Sequence, residues 1–414
     1  MASLSAVGGV LAQRNARIFY GGSVACWTGS WMQRVATDWL AWELTHSAFW
    51  VSVLAFCNLA PSVIVSPLAG AVADRMDRVR LTMVSQFVAA GQAAVLVLLI
   101  VTGLIRIEFM IALAACNGIA ETFAQPARQC LVPGLVPRTY LPGAVALNSL
   151  TYNVARFIGP ALSGPMIAAW GVVPPIACNC VAFLYASVTM TMLRLDPSIR
   201  RGHRGSHSVL HDAVEGIRYA ARHTGIGPIL LFAAAVGVML RAVTEILPPY
   251  VADLFGRDAR GLATLASTMG LAALVGGFTV AIRGRLSGLT RLAVGAGLVL
   301  ALATAGFVAT HRFEVGVLCI AAMGAATTIH GISIQTLLQN SASPAMVGRM
   351  LSLWGMITRA APAIGALSYG SVAGWFGLQL PVLIGCVLCA LAWLLARARL
   401  ARMAPVLEAS ETLA

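Results

Sequence analysis

The sequence predicts an all-α integral membrane protein, and three observations support that fold class. Hydrophobic residues make up 59% of the 414 positions and charged residues only 10%, whereas an ordinary soluble protein has about 25% charged residues. Twelve apolar runs each reach the length of about 20 residues that a helix needs to cross a bilayer. These runs do not alternate at period two, so they predict helices and not the strands of a membrane barrel.

The twelve runs divide into two groups of six around one long polar segment, residues 194–226. We predict 12 transmembrane helices near residues 17–42, 48–72, 80–103, 107–127, 140–168, 172–193, 227–251, 260–282, 289–310, 314–338, 347–374 and 378–396. The predicted organisation is an N-terminal six-helix half (1–193), a cytoplasmic linker (194–226), a C-terminal six-helix half (227–400) and a cytoplasmic tail (401–414). Apolar residues at helical spacing in HSVLHDAVEGIRYAARH predict an amphipathic helix in the linker, lying on the inner leaflet.

Arginine positions predict the orientation, because basic residues concentrate in cytoplasmic connections. With the N-terminus inside, twenty arginines fall at cytoplasmic ends and four fall in outer connections: Arg106, Arg257, Arg260 and Arg312. Both termini are therefore predicted to be cytoplasmic. The net charge of +13 is explained by this bias, so it does not indicate a nucleic-acid partner.

The sequence lacks the signature motifs of several chemical functions. The chain has no lysine, so it cannot contain the phosphate-binding loop of ATP-driven proteins, and it has no zinc-protease or nucleophile-elbow motif. The nine cysteines lie in or beside apolar runs without two pairs at zinc spacing. We expect neither an enzyme nor a cofactor nor a bound metal.

The two halves repeat each other. Glycines coincide at an offset of 206 residues in the pairs Gly118/Gly324, Gly159/Gly365, Gly164/Gly370 and Gly171/Gly377. At an offset of 207, MQRVATDW (32–39) aligns with MLRAVTEI (239–246), so Arg34 meets Arg241 and Asp38 meets Glu245. Two six-helix halves in parallel repeat are typical of one class of secondary transporter.

Ionisable residues inside the runs are candidate functional groups, because each costs roughly 2.5–3.5 kcal/mol to insert. Four-residue spacing predicts that Arg34 pairs with Asp38 and that Arg241 pairs with Glu245. We interpret these pairs as an outer gate that also senses protons; the alternative is that they tether helix ends at the headgroups.

Glu121 in the fourth run and Arg156 in the fifth are predicted to pair across a cavity. Glu121 is the first candidate for carrying a proton, and Asp38 and Glu245 compete with it; a static buried ion pair is the alternative. Further polar residues in the runs are possible substrate contacts: Asn117, Asn153, Gln335 and Arg359.

Four stretches resemble a known family. GAVADRMDRVRL, with Gly70, Asp74, Arg75, Arg78 and Arg80, resembles the loop signature of the major facilitator superfamily, although Asp77 stands where many members have Gly. NVARFIGPALSG, with Gly159, Pro160 and Gly164, resembles the fifth-helix motif of facilitator antiporters. WMQRVATDWLAWELTHSAF and ETFAQPARQCLVPGLVP are similar to the transmembrane secretion effector branch, which includes enterobactin exporter-like proteins.

The resemblance implies a monomeric transporter of the bacterial inner membrane that works by alternating access around a central cavity. It implies export of a siderophore-like or drug-like molecule in exchange for protons, without ATP. The loop motif would form an inner gate in which Asp74 pairs with nearby arginines, although plain orientation charge is an alternative. A proton-coupled importer and a non-transporting sensor or assembly protein are the competing functions.

Overall fold

The computed structural model describes residues 4–195, 209–344 and 346–409. Within these ranges, side chains are described except at positions 4–7, 66, 67, 70, 71, 73–75 and 209–213. The first part of the chain forms α1 (Leu4–Ala12), α2 (Arg14–Thr45), α3 (Ala48–Arg75), α4 (Arg78–Val101), α5 (Ile107–Leu131), α6 (Leu141–Trp170) and α7 (Val173–Thr191). The second part forms α8 (Val209–Arg222), α9 (Ile226–Met239), α10 (Ala259–Arg283), α11 (Leu289–Ala309), α12 (Phe313–Ser341), α13 (Val347–Phe376), α14 (Gln379–Ala398) and α15 (Leu400–Leu407).

Helices account for 88% of the structure, and the described ranges contain no strand, which confirms the all-α prediction. Among the described residues, nine helices are long and apolar enough to cross a membrane, or ten if α8 and α9, bent by 110°, form one span. The helices α2 and α6 are 32 and 30 residues long but are not among the nine. They carry charged and polar side chains in their middle turns. The count of twelve and the cytoplasmic termini stay predictions.

The chain forms two compact units. Unit 1 contains residues 1–46, 57–206 and 257–267, and unit 2 contains 47–56, 207–256 and 268–414. In unit 1, α2 packs against α6 and α7, and α4 packs against α5 and α7; in unit 2, α11 packs against α12 and α14, and α9 packs against α13. The predicted domain boundaries at residues 193, 226 and 400 stay predictions.

The repeated glycines lie where helices approach most closely. A Cβ atom added at Gly159 would lie 2.5 Å from Cβ of Trp31 on α2, and one added at Gly365 would lie 2.7 Å from Cβ of Ala242. Gly118 likewise faces the backbone of α3, and Gly324 faces the backbone of α10. Small residues let helix backbones pack this closely, so the offset of 206 residues marks equivalent packing positions in the two units.

The glycines of the last repeated pair, Gly171 and Gly377, are explained by backbone conformation and not by close packing. Gly171 ends α6 with φ +77°, and Gly377 ends α13 with φ +73°. Residues with a Cβ rarely adopt positive φ, so glycine is the favoured residue just beyond a helix end.

The seventh run does not form one continuous helix. The structure breaks residues 227–251 into α9, a 3₁₀ turn at Arg241–Glu245, a short turn at Leu247–Pro249 and a π-helical turn at Tyr250–Leu254. Pro248 and Pro249 are adjacent in this run. Neither residue has a backbone N–H to donate, and a proline ring clashes with the preceding turn of a helix. The aligned helix α2 has no proline and runs unbroken for 32 residues.

Two acidic side chains connect helices in the second part of the chain. Glu408 accepts hydrogen bonds from the backbone N–H groups of Gly288 (2.5 Å) and Thr290 (2.8 Å), which holds the buried end of α15 against the N-terminus of α11. Glu215 on α8 bonds Arg349 on α13 at 3.0 Å. The predicted inner-leaflet position of α8 stays a prediction, and residues 196–208 and 410–414 lie outside the described residues.

The junction between α8 and α9 depends on His223. Its Nδ1 accepts hydrogen bonds from the backbone N–H groups of Gly225 (3.2 Å) and Ile226 (3.1 Å). Only the neutral ring offers a lone pair at Nδ1, and burial lowers the pKa of His223 below its ordinary value.

We expect Gly159→Ala to destabilise unit 1, because the new methyl group would lie 2.5 Å from Trp31 Cβ and 2.9 Å from Thr28 O. Such overpacking costs about 1–3 kcal/mol. Thermal unfolding of the detergent-solubilised protein measures the effect. Gly91→Ala on α4 is the matched control, since a Cβ there has nothing within 4 Å. Equal unfolding temperatures for the two variants would contradict this packing.

We expect the α8–α9 junction to loosen as the pH falls below about 6.5, the ordinary pKa of histidine. The folded protein holds His223 neutral, so acid favours conformations in which the ring is exposed and protonated. Amide hydrogen exchange at Gly225 and Ile226, corrected for intrinsic rates, should lose protection between pH 7.5 and 5.5. His223→Asn supplies a cap that does not titrate and should abolish this dependence; an unchanged dependence would refute the role of His223.

Candidate functional site

The centre of the candidate site is an ion pair within α5. Nη2 of Arg128 lies 3.0 Å from Oε2 of Glu121. Arg128 is only 3% exposed, whereas the Glu121 side chain is 32% exposed. Seven residues correspond to two helical turns, and Pro126 lies between the partners. The site therefore joins a buried cation to a partly exposed carboxylate.

The other partners of Arg128 are neutral. Its Nη2 also donates to Oε1 of Gln125 (3.3 Å), and its Nη1 donates to Sγ of Cys26 on α2 (3.6 Å). The guanidinium lies over the ring of Trp27 at 5.6 Å. Its Nε is buried without a hydrogen-bond partner among the described residues. A buried charge whose counter-ion is removed becomes strongly unfavourable, so Glu121 and Arg128 act as one electrostatic unit.

Two more arginines stack on a second tryptophan. The guanidinium of Arg34 lies 5.4 Å from the ring centroid of Trp31, and that of Arg156 lies 5.5 Å from it. Tyr152 on α6 meets Trp27 edge-on at 5.5 Å and Trp31 at 6.3 Å. The rings thus connect the arginines across three helices of unit 1. We call this set the arginine–aromatic cluster: Trp27, Trp31, Arg34, Arg128, Tyr152 and Arg156.

The cluster is partly open. Tyr152 is 41% exposed, and Arg34 and its neighbour Asp38 have side-chain exposures of 35% and 22%. Ionised groups at mid-helix depth face water-filled cavities or protein partners and avoid lipid. Part of the cluster is therefore exposed at the surface of unit 1.

Arg34 and Asp38 lie close together, with Nε of Arg34 3.7 Å from Oδ2 of Asp38. Arg241 and Glu245 lie in the 3₁₀ turn at Arg241–Glu245, and their predicted pairing stays a prediction. The gate role of both pairs stays a prediction.

The predicted pairing of Glu121 with Arg156 also stays a prediction. The ion pair described for Glu121 is with Arg128, and Arg156 stacks on Trp31. Arg128 is one of the twenty arginines predicted to lie at cytoplasmic ends, and the structure shows that its side chain is buried inside unit 1. Its position one turn from the end of α5 made it resemble an orientation charge.

The structure describes only part of the loop motif Gly70–Arg80. The side chains of Gly70, Asp74 and Arg75 lie outside the described residues. Oδ1 of Asp77, the departure from the family pattern, accepts hydrogen bonds from the backbone N–H groups of Val79 (2.9 Å) and Arg80 (3.2 Å) and so caps α4. Arg78 is half-buried and Arg80 is exposed.

The fifth-helix motif lies in α6. Gly159 and Pro160 are buried, and Gly164 faces Ala263, which also belongs to unit 1. Oγ of Ser163 donates to the backbone O of Met32 at 3.1 Å. This stretch sets how closely α6 approaches α2, so it fixes the spacing on which the cluster depends.

The proposed substrate contacts lie on four different helices, and their role stays a prediction. Nδ2 of Asn153 donates to Ser149 O of its own helix at 2.8 Å. Asn117 is half-buried one turn before Glu121 in α5, Arg359 is half-buried in α13, and Gln335 is exposed on α12.

Three amide side chains in unit 1 form a hydrogen-bonded network that was not predicted from the sequence. Asn179 donates from Nδ2 to Oε1 of Gln33 (2.7 Å), and Gln33 donates from Nε2 to Oε1 of Gln92 (3.0 Å). All three are buried, and they join α7, α2 and α4. The amide side chains inside apolar runs were the sequence signal for this network, because such groups hydrogen-bond across membrane helices.

Comparison with known proteins identifies the family. Residues 8–413 match the family described as "Transmembrane secretion effector". The staphyloferrin A transporter of Staphylococcus aureus is 27% identical over 173 residues, which cover 41% of this chain and 43% of that protein. Macrolide efflux protein A of Streptococcus pyogenes is 21% identical over 84% of this chain and 87% of its own length. The enterobactin exporter EntS of Escherichia coli O1:K1 / APEC is 24% identical over 80% of this chain and 78% of its own length.

Solved structures agree on the fold. A bacterial homologue of the iron transporter ferroportin superposes with a TM-score of 0.71 at 15% identity, covering 92% of this chain and 98% of that one. The resemblance read from the loop and fifth-helix motifs is confirmed. The chain belongs to the transmembrane secretion effector family of the major facilitator superfamily and is a multi-pass transporter of the bacterial inner membrane, not an enzyme.

Proposed function

We propose that this transporter exports a small organic molecule in exchange for protons, and that the carboxylate of Glu121 carries the proton. Family membership and the efflux relatives support the export of small molecules. The single observation that supports the coupling is the contact between buried Arg128 and accessible Glu121.

Charge balance suggests how coupling would work. Ionised Glu121 neutralises Arg128 in a place where lipid and protein offer little solvation. When Glu121 takes up a proton, Arg128 keeps only Gln125, Cys26 and the Trp27 ring. Each protonation state then favours a different arrangement of α5 against α2. Such a difference is what a ligand needs to shift a conformational equilibrium.

Substrate would bind beside this pair. Tyr152 offers an exposed aromatic ring in contact with both tryptophans. Asn117 lies four residues before Glu121, which places both on one face of α5. A substrate bound there would interact electrostatically with Glu121. Asn153, Gln335 and Arg359 are further candidate contacts.

The remaining parts of the proposal follow the family architecture. Twelve helices in two six-helix repeats, with both termini cytoplasmic, would alternate access to the site as a monomer. Arg34 and Asp38 would act at the outer gate, and the loop motif from Gly70 to Arg80 at the inner gate.

In inside-out vesicles with an acidic lumen, adding a transported compound should release protons from the lumen. A panel of siderophores, macrolides and cationic drugs would identify the compound. We expect Glu121→Gln to reduce this release to that of vesicles without the protein, because glutamine cannot exchange a proton. Glu108→Gln is the matched control, since Glu108 lies exposed in the first turn of the same helix.

Other outcomes would change the assignment. Loss of release in Asp38→Asn, but not in Glu121→Gln, would move coupling to the pair on α2. Equilibration of labelled substrate without proton movement would refute antiport. Concentrative uptake into intact cells, abolished by a protonophore, would indicate an importer.

We expect Tyr152→Ala to weaken the apparent affinity for the exported compound by about two- to tenfold, the range for loss of one aromatic contact. The concentration dependence of export measures this. Tyr185→Ala is the control, because Tyr185 is a similarly exposed tyrosine on α7 of the same unit. Equal effects of the two substitutions would argue against substrate binding at Tyr152.

A further inference from the structure

Unit 2 carries a groove of about 550 Å³ along α11 and α12 that plays no part in the proposed transport site. Small residues form its floor, among them Gly295 and Ala296 on α11 and Ala325 and Ala326 on α12. Positions three and four apart lie on one helix face. Because the side chains that line it are small, the groove stays open along the surface of the two helices.

The groove opens toward lipid. Val299, which lines it, is 49% exposed, and Leu302, one turn further along α11, is 65% exposed. Leu318 on α12 is 71% exposed. Both helices are long and apolar enough to span a membrane. Large apolar side chains exposed on such helices face acyl chains, so the occupant of the groove must be largely apolar.

One end of the groove is basic. Arg283, at the end of α10, and Arg291, in the first turn of α11, line it there, and the other lining residues are apolar or glycine. From Gly288 to Val299 the helix rises about 16 Å at 1.5 Å per residue. That is close to half of the roughly 30 Å hydrocarbon core. The groove therefore matches one leaflet in length, with its charge at one end.

The neighbouring charges leave this end positive. The carboxylate of Glu408 is engaged by the backbone N–H groups of Gly288 and Thr290. Arg283 donates from Nη2 to Ser287 O at 2.7 Å, which leaves its other donors for a ligand. Arg285 in the same connection is exposed. The connection is also predicted to be cytoplasmic, the side on which anionic lipids concentrate.

We propose that this groove binds one anionic phospholipid of the inner leaflet. The phosphate lies between Arg283 and Arg291, and one acyl chain lies along Gly295, Ala325 and Val299. Guanidinium groups bind phosphate oxygens through paired, charge-assisted hydrogen bonds. The lipid thereby fills a space that the small side chains of α11 and α12 leave empty.

The test uses delipidated full-length protein in detergent, with binding followed by native mass spectrometry and thermal unfolding. Phosphatidylglycerol should bind saturably and raise the unfolding temperature. Phosphatidylcholine with the same chains and glycerol phosphate without chains should do neither. Arg291→Gln should weaken phosphatidylglycerol binding about fivefold, as expected for one basic residue near a lipid headgroup. Arg285→Gln, outside the groove lining, should weaken binding less than Arg291→Gln does.

A second variant tests the acyl-chain position. Gly295→Phe places a side chain in the groove without a backbone clash, because a Cβ at Gly295 has nothing within 4 Å. It should abolish lipid binding while keeping the lipid-free unfolding temperature. Gly374→Phe on α13 is equally unobstructed and should bind lipid normally.

Equal binding of both phospholipids, equal binding of glycerol phosphate, or normal binding by Gly295→Phe would each overturn the proposal. Since no transport is measured, these outcomes are independent of the proposed antiport.

Discussion

A guanidinium group buried among apolar helices requires charge and hydrogen bonds from the protein itself, and Arg128 imposes that requirement on unit 1. Its partners come from its own helix and from α2: Glu121, Gln125, Cys26 and Trp27. Glu121 is the only acidic side chain among them, and it is 32% exposed, whereas Cys26 and Trp27 are buried. This one carboxylate is therefore the counter-ion of Arg128, and on the proposed mechanism its protonation state changes how α5 packs against α2.

The same requirement explains why α2 and α6 are less apolar than their neighbours. Their polar side chains are matched inside unit 1: Gln33 by Asn179 and Gln92, Arg34 by Asp38 and Trp31. Gly159 and Ser163 bring α6 close enough to α2 for Tyr152 and Arg156 to reach the tryptophans. A helix can thus carry several ionisable groups and still reside in a membrane, provided that its neighbours supply the partners.

Sequence reasoning succeeded where a single local rule decides the structure. Runs of about 20 apolar residues located the helices, four-residue spacing brought Arg34 to Asp38, and the glycine offset located close helix contacts. It failed where two rules compete. Apolarity predicted one helix through 227–251, but Pro248 and Pro249 broke it. Arg128 fitted the pattern of an orientation charge, because nothing local distinguishes a flanking arginine from one that folds back to a carboxylate two turns away.

The repeat is conserved unevenly between the two units. Its glycines keep equivalent packing roles, because a close helix contact tolerates no side chain in either unit. The ion pair of Glu121 and Arg128, in contrast, is not duplicated. At the offset of 206 residues, Glu121 corresponds to Thr327, Arg128 to Ile334 and Arg156 to Pro362.

Unit 2 therefore has no counterpart of the buried ion pair at these positions. If both units descend from one ancestor, selection has retained the packing in both and the charge chemistry in one. Proton coupling by a single carboxylate needs only one such site. A second copy would add the cost of inserting another ion pair, roughly 2.5–3.5 kcal/mol for each ion, without adding a coupled step.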